Sequence, residues 1–235
     1  MSATGTTVAD ARGRTLDAAT GVVAAVLFLA GFLIQGTPPD PNDPIAKIAS
    51  YLGDHRGRIL TGDVLIALGG AFFLWFLGAL RSYLRAGEGG EGRLSAASFL
   101  GGGVATAVLI GGAGLQSALV LHPGTLGDQA LVRAGFDGYN ALITIGGAPL
   151  AVAVAAASCS AARSGALPPS AYWSGSVVGV LQIVTLAALF AKTGFFAAGK
   201  EFTAIAFIVV VAWYIAVALL MMRQRGVPPV ARTEP

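Results

Sequence analysis

Charge is scarce in this sequence. Lysine, arginine, aspartate and glutamate make up 11% of the 235 residues, whereas hydrophobic residues make up 55%. Soluble globular domains carry about 25% charged residues, so this chain has too few to cover a water-exposed surface. The basic residues stand singly between apolar segments, although the formal net charge is +3. This spacing argues against a nucleic-acid partner and is typical of residues that set membrane topology.

Cysteine and histidine are also rare. The one cysteine, Cys159, excludes an intramolecular disulfide and a cysteine-based metal cluster. It lies among alanines and serines of an apolar segment, where we expect a buried, inert thiol. The two histidines, His55 and His122, allow a metal or bis-histidine haem site in principle, but neither belongs to a ligand-spaced motif. We therefore expect no metal or cofactor and assign both histidines to interfacial hydrogen bonds.

Several familiar catalytic motifs are missing. The sequence contains no nucleophile elbow, no HExxH pair, no Walker loop and no dinucleotide-binding fingerprint. The glycine run 101–103 lies inside an apolar segment, which favours helix packing over phosphate binding. Enzymes that depend on these motifs are excluded, and enzymes that use isolated carboxylates remain possible.

Long apolar runs dominate what is present. A hydrocarbon layer about 30 Å thick is crossed by about 20 apolar residues in a helix. Such runs predict an all-α bundle of about six transmembrane helices, with a tail at 1–15 and another at 223–235. The first run lacks a small-x-small cleavage site, so we interpret it as an uncleaved helix. The predicted spans are 16–35, 59–84, 94–121, 138–162, 171–190 and 201–222.

The segment between the first two spans is rich in proline, which disfavours helix and predicts an extended loop. Asp43 and Pro44 then have the residue types of an N-cap and a first helical position. The apolar residues that follow recur at i, i+3, i+4 and i+7, which predicts a short amphipathic helix on the membrane surface. These residues are Ile45, Ile48, Ala49 and Leu52.

Two later spans have distinctive features. The third is rich in small residues, which let helix backbones approach closely in lipid, so we expect it at the centre of the bundle. Asp128 is the predicted N-cap of a long helix that contains the fourth span. The first two turns of this helix precede the span and are expected to protrude from the membrane. Pro149 is expected to kink this helix. In the fifth span, Gly175 and Gly179 form one GxxxG pair, typical of close packing.

Orientation follows from lysine and arginine in the short connections. More of them fall on the side of the two termini than on the opposite side, which predicts that both termini are cytoplasmic. On this topology most of the polar residues near span ends collect at the outer face. Gln182 alone lies deeper, near the middle of the fifth span.

Ionisable residues within a membrane segment are functional candidates by default, because burying them is expensive. The candidate catalytic carboxylates are Asp63, Asp137 and Glu201. The candidate ligand-binding residues, which we expect to line one outward-facing cavity with Asp63, are Gln116, His122, Tyr139, Asn140 and Gln182, with Trp75 as an aromatic wall. The structural alternative for Asp63 is an ion pair with Arg56, Arg58 or Arg133.

Two stretches carry a family resemblance. Residues 51–60, YLGDHRGRIL, and 74–81, LWFLGALR, resemble a pattern in uncharacterised multi-pass membrane proteins of actinobacteria. The resemblance implies a multi-pass architecture in a bacterial plasma membrane. It implies no reaction, because no activity is established for that group.

Three functions fit these features. The first is a non-enzymatic membrane protein that binds a hydrophobic or amphiphilic small molecule, or a membrane partner, through an outer polar pocket around Asp63. The second is a membrane enzyme that uses Asp63 with Asp137 or Glu201 as acid and base on a lipid-like or isoprenoid substrate. The third is a small transporter, or an accessory subunit or homo-oligomer within a membrane complex.

Overall fold

A computed structural model of the chain describes residues 3–191, 194–197 and 199–223. Within these ranges the regular structure is entirely helical. The predicted tail 223–235 lies, apart from Arg223, outside the described residues. The helices are α1 (Ala3–Gln35), α2 (Ile45–Asp54), α3 (Arg56–Glu88), α4 (Arg93–Leu121), α5 (Gln129–Ile145), α6 (Gly147–Ser164), α7 (Pro169–Val184) and α8 (Glu201–Arg223), with 3₁₀ segments at Pro123–Gly127 and Thr185–Leu189.

Six segments are long and apolar enough to cross a membrane, which confirms the predicted all-α bundle. An even number of spans places the two ends of the bundle segment on one side. We call that end of the bundle the terminal face and the opposite end, which carries α2, the α2 face. The spans are Thr15–Gln35, Arg56–Glu88, Arg93–Leu121, Gln129–Ser164, Pro169–Leu189 and Glu201–Arg223.

The spans form a closed ring. Each span packs against the next one along the chain, and α8 closes the ring by packing against α1. Helices α3 and α6 also contact each other across the ring. The interior is filled by aromatic side chains, with Tyr214 of α8 edge-on to Phe73 and Phe76 of α3 at centroid distances of 4.9 and 6.1 Å. The ring therefore encloses a packed core.

The third span does not occupy the centre of the bundle, contrary to expectation. Helix α4 is an ordinary ring member that packs on α3, α5 and α6. Gly101 does allow close approach, because a Cβ there would lie 2.6 Å from the carbonyl oxygen of Pro149 on α6. Gly103, Gly111 and Gly114, however, face open space. The composition showed that this helix is rich in small residues, but only some of its glycines contact another helix closely.

The fourth span has the predicted cap and the predicted break. The Asp128 carboxylate accepts hydrogen bonds from the backbone N–H groups of Ala130 at 3.0 Å and Leu131 at 3.1 Å. The helix is interrupted at Gly146, three residues before Pro149. Proline lacks the N–H donor and its ring crowds the preceding turn, so the interruption falls where that crowding acts.

The predicted GxxxG pair of the fifth span is used inside the molecule. A Cβ at Gly175 would lie 2.1 Å from the Ser158 hydroxyl oxygen of α6 and 2.8 Å from the Trp213 ring of α8. Gly179 faces the backbone of Ala151 at 3.5 Å. These glycines therefore let α6, α7 and α8 approach one another within a single chain.

Helix α2 forms as predicted, but it begins at Ile45, with Pro44 in the cap position. Asp43 does not cap the helix. Its carboxylate instead accepts from the backbone N–H of Asp40 at 2.8 Å and pairs with the Lys47 ammonium at 2.7 Å.

The apolar side of α2 packs against the end of the bundle. Ile48 and Leu52 are fully buried in a cluster with the ends of three spans. Burial of apolar side chains contributes about 25 cal/mol per Å², so α2 is held against the bundle as a cover over its end. The partners of Ile48 and Leu52 are Ile59, Leu119, Val120, Val132 and Phe136.

The expected burial of Cys159 is wrong. Its neighbours Ser158 and Ser160 are buried at the helix interface, and Cys159 is exposed on the outside of α6. Consecutive helix residues are about 100° apart, so a residue between two buried ones can point outward. Composition of the segment did not reveal this facing.

Candidate functional site

Asp63 lies about two helix turns into α3 from the α2 face, where α1, α3 and α4 meet. Its side chain is 4% exposed. The Gln35 amide Nε2 of α1 donates to Asp63 Oδ1 at 2.8 Å, and the Ser117 hydroxyl of α4 donates to Oδ2 at 2.7 Å. We call Asp63, Gln35 and Ser117 the Asp63 centre. A carboxyl group at such a position is expensive unless its oxygens are satisfied, and each oxygen has one donor.

Glycines bring the Asp63 centre together. A Cβ at Gly62 would lie 2.7 Å from the carbonyl oxygen of Gly31 and 2.4 Å from the Gln35 Cγ. Both distances are below any contact that a real Cβ makes, so α1 and α3 approach this closely only because residue 62 has no side chain. That approach brings the Gln35 amide within reach of the neighbouring Asp63.

The alternative of an ion pair at Asp63 is wrong. Among the described residues, no lysine, arginine or histidine is within ion-pair distance of this carboxylate. The three candidate arginines bind backbone carbonyls, including those left unpaired at helix ends. Arg56 donates to the carbonyls of Val120 and Leu121 at 2.8 and 3.3 Å, Arg58 to that of Ile34 at 2.8 Å, and Arg133 to those of Asp43, at 2.8 Å, and Pro41.

Acceptors outnumber donors around the centre. A carboxylate has about four acceptor positions, and Asp63 receives two side-chain donors. Gln116, next to Ser117 in α4, is 2% exposed, and its Oε1 is buried without a hydrogen-bond partner among the described residues. An unsatisfied buried acceptor costs roughly 1–3 kcal/mol. The open acceptor positions of Asp63 are therefore suited to a group that brings hydrogen-bond donors or positive charge, whereas Gln116 is a separate buried acceptor about 100° around α4 from Ser117.

Helix α2 is connected to this centre by Tyr51. Its phenol donates to the backbone carbonyl of Gln35 at 3.0 Å, and burial raises the pKa of this phenol. The Tyr51 ring stacks on His55 with a centroid distance of 4.7 Å, and the His55 Nδ1 lies 3.0 Å from the Tyr51 carbonyl oxygen. Movement of α2 therefore acts on the residue that holds Asp63.

The two histidines occupy separate positions. His55 lies between α2 and α3, while His122 is exposed at the end of α4. Within the described ranges, no three histidine, cysteine, aspartate or glutamate side chains come together as a metal site would require.

Two of the predicted site residues on α5 line an opening of their own. Tyr139, on the same helix, is partly buried. Asp137 and Asn140 are three positions apart and therefore point in similar directions from α5. They line an open cleft of about 200 Å³ with Pro41, Asn42, Ala141, Ala188, Leu189, Ala191 and Ala197. Asp63 is not among the residues that line this cleft.

The remaining candidates lie elsewhere. Gln182 of α7 is buried and donates to the Ala206 carbonyl of α8 at 2.9 Å, which joins two helices. Trp75 is 65% exposed on the outside of α3, about 18 Å along the helix from Asp63; it donates to the Asp17 carboxylate at 2.9 Å. Glu201 is exposed at the start of α8. None of the three lines the Asp63 centre.

Gln35, Ser117 and Tyr51 are functional candidates that sequence reasoning missed. A signal existed for Gln35, which is the one amide residue in the first predicted span and ends it. Ser117 follows Gln116 directly, but serine is common in membrane helices and carried no signal. Their importance follows from contacts across 28 and 54 residues of sequence.

The loop between α1 and α2 is fastened to the α2 face by charges. The Asp40 carboxylate accepts from the backbone N–H of Asn42 at 3.0 Å and pairs with the Lys200 ammonium at 3.1 Å. These contacts, the Asn42 bond foremost, hold the pKa of Asp40 below its ordinary value. The hydrogen bond from Lys47 likewise lowers the pKa of Asp43. The loop therefore links α1 to the start of α8.

No family model, curated protein or solved structure matches this chain. The function proposed below rests on the geometry of the residues described above.

Proposed function

We propose that this protein is a multi-pass receptor of a bacterial plasma membrane, with both termini cytoplasmic, that binds a small amphiphilic molecule from the outer face. The Asp63 centre receives the head group, and the apolar tail lies along the helices. The observation that carries the proposal is a buried carboxylate with two hydrogen-bond donors and no ion-pair partner among the described residues.

The chemistry of the centre selects the head group. Asp63 retains acceptor capacity, since its carboxylate receives two side-chain donors and has about four acceptor positions. A primary ammonium has three donors and one positive charge, so it supplies both of the features that the centre lacks. An anionic head group would instead meet the carboxylate as a like charge. The proposed ligand class is therefore an alkylamine or another amphiphile with a cationic, hydrogen-bond-donating head.

Access to the centre runs beneath α2. Asp63 is covered in the structure, so the head group enters when α2 shifts and the Tyr51 bond to the Gln35 carbonyl opens. Because Gln35 also binds Asp63, release of α2 and exposure of the carboxylate occur together. Helix α2 thus acts as a cover that ligand binding displaces.

Binding of dodecylammonium in lipid nanodiscs, measured by native mass spectrometry, tests the proposal. Hydrogen bonds to charged groups contribute about 1.5–3 kcal/mol, so Asp63→Asn should weaken binding by about 10-fold or more. Asp137→Asn is the matched control, since it removes a carboxylate from the same face outside the centre. Dodecanoate, with the same chain and opposite charge, should not bind at this site. Equal binding by wild type and both variants would overturn the proposal.

The two alternative functions gain no support from the geometry. The enzyme hypothesis needs Asp63 paired with Asp137 or Glu201, but Asp137 lines a cleft that does not include Asp63, and Glu201 opens α8, which packs on α1 and α7. The transport hypothesis placed Gln182 along a pathway, whereas Gln182 is bonded to α8. We therefore develop neither.

A further inference from the structure

A second polar site lies on the terminal face, away from the Asp63 centre. The end of α3, the start of α4 and the end of α6 surround a cleft of about 460 Å³. Arg93 and Arg163 line it from two sides. Arg85 lies against it, with its Cγ 3.1 Å from where a Cβ of Gly92 would be. The full lining is Glu88, Gly89, Glu91, Gly92, Arg93, Leu94 and Arg163.

The two glutamates of this cleft are already engaged. Glu88 accepts from the backbone N–H groups of Leu94 and Ser95 at 2.7 and 2.9 Å, and so caps the start of α4. Glu91 forms an ion pair with Arg93 at 2.8 Å. Both partners of that pair are largely exposed, and such surface pairs are weak, so Arg93 can exchange Glu91 for another anion.

The arginines retain unused binding capacity. Neither Arg85 nor Arg163 has a hydrogen bond or an ion pair with any part of the chain that the structure describes. Arg93 and Arg163 of the lining balance Glu88 and Glu91, and Arg85, whose stem lies beside Gly92, adds one positive charge at the edge of the cleft. A planar guanidinium offers paired donors that match phosphate oxygens. The cleft therefore offers guanidinium donors that no described residue occupies.

We propose that this cleft binds the phosphate group of an anionic phospholipid in the leaflet at the terminal face. Helices α3, α4 and α6 all leave their apolar spans at this level, so the cleft lies at the depth of the lipid head groups. Basic clefts between transmembrane helices bind such head groups through the same chemistry. This site is independent of the proposed amphiphile site on the α2 face.

The test compares two arginines that occupy equivalent positions. Arg163 lies in the last turn of α6 and Arg223 in the last turn of α8, both at the terminal face, but α8 packs on α1 and α7 and not beside the cleft. Native mass spectrometry measures binding of dioleoyl phosphatidylglycerol and dioleoyl phosphatidylcholine to the protein in an uncharged detergent. Wild type should prefer the anionic lipid, and Arg163→Gln should reduce that preference by about fivefold.

Arg223→Gln should leave the preference unchanged within about twofold, since a diffuse charge effect falls equally on both variants. If Arg163→Gln fails to fold, as judged by far-UV circular dichroism, Arg85→Gln replaces it. Competition by millimolar inorganic phosphate that requires Arg163 would support the phosphate chemistry and assign it to free phosphate. Absence of any anionic preference, or equal loss in both variants, would overturn the proposal.

Discussion

Gly62→Ala is the substitution that tests most directly how packing builds the Asp63 centre. The new methyl group would lie 2.7 Å from the Gly31 carbonyl oxygen and 2.4 Å from the Gln35 Cγ. The carbonyl belongs to the backbone of α1, so relief requires α1 and α3 to move apart. That movement also carries the Gln35 amide away from Asp63 and breaks the 2.8 Å hydrogen bond.

The magnitude follows from these two effects. Overpacking a tight contact costs about 1–3 kcal/mol, and a hydrogen bond to a charged group contributes about 1.5–3 kcal/mol. Alanine regains up to about 1 kcal/mol over glycine in a helix. We expect Gly62→Ala to lower the free energy of unfolding by about 1.5 to 5 kcal/mol. Binding of dodecylammonium should weaken as well, because the carboxylate loses its neighbour.

The assay is equilibrium unfolding in mixed micelles of an uncharged detergent and dodecyl sulfate, followed by far-UV circular dichroism. Gly78→Ala is the matched control, since it lies in the same helix with nothing within 4 Å of its Cβ position. It should be neutral or stabilising by up to about 1 kcal/mol. In a Gln35→Ala background the penalty of Gly62→Ala should shrink by about 1 kcal/mol or more. Equal stabilities for the two glycine variants would refute the reasoning.

Three further outcomes are expected. Gly101→Ala should destabilise by about 1–3 kcal/mol, because its Cβ would lie 2.6 Å from a backbone oxygen of α6; Gly103→Ala, which faces open space, should not, and dodecyl sulfate unfolding compares them. Arg56→Gln should destabilise by about 1 kcal/mol, since it leaves two carbonyls at the end of α4 without their donor, measured by the same unfolding assay. The contribution of Asp40 to the free energy of unfolding should depend on pH, because the pKa of Asp40 is lower in the folded protein than in the unfolded chain. This stabilisation is present above about pH 4 and is lost as the pH falls further. Thermal unfolding at decreasing pH measures it, and Asp40→Asn should remove that part of the pH dependence.

Each of these has a clear contrary result. Equal destabilisation by Gly101→Ala and Gly103→Ala would mean that helix propensity, and not contact with α6, determines the effect. An unchanged stability of Arg56→Gln would show that water replaces the arginine donors. An Asp40→Asn variant with the same acid sensitivity as wild type would assign the pH dependence to other carboxylates.

The sequence by itself determined the membrane spans and the positions of a helix cap and a helix break. A span can be recognised from its own residues alone, because it must be apolar over about 30 Å of hydrocarbon and must form its backbone hydrogen bonds within itself. The Asp128 cap and the break before Pro149 are local for the same reason, because a cap or a proline acts within one turn. All of these features are present in the structure.

The tertiary structure alone decided the ring order, the facing of each helix and the composition of the site. The sequence did mark Asp63, because a carboxylate in an apolar span is unusual wherever it occurs. Its donors Gln35 and Ser117 belong to other helices, and only the close approach permitted by Gly62 brings the first of them near. Asp137 was grouped with Asp63 because both lie near one membrane face, yet Asp137 lines a cleft that does not include Asp63. The depth of a residue in the membrane can be predicted from its position within an apolar run. The direction in which it points from its helix, and the helices that it contacts, depend on packing between residues that are far apart in sequence.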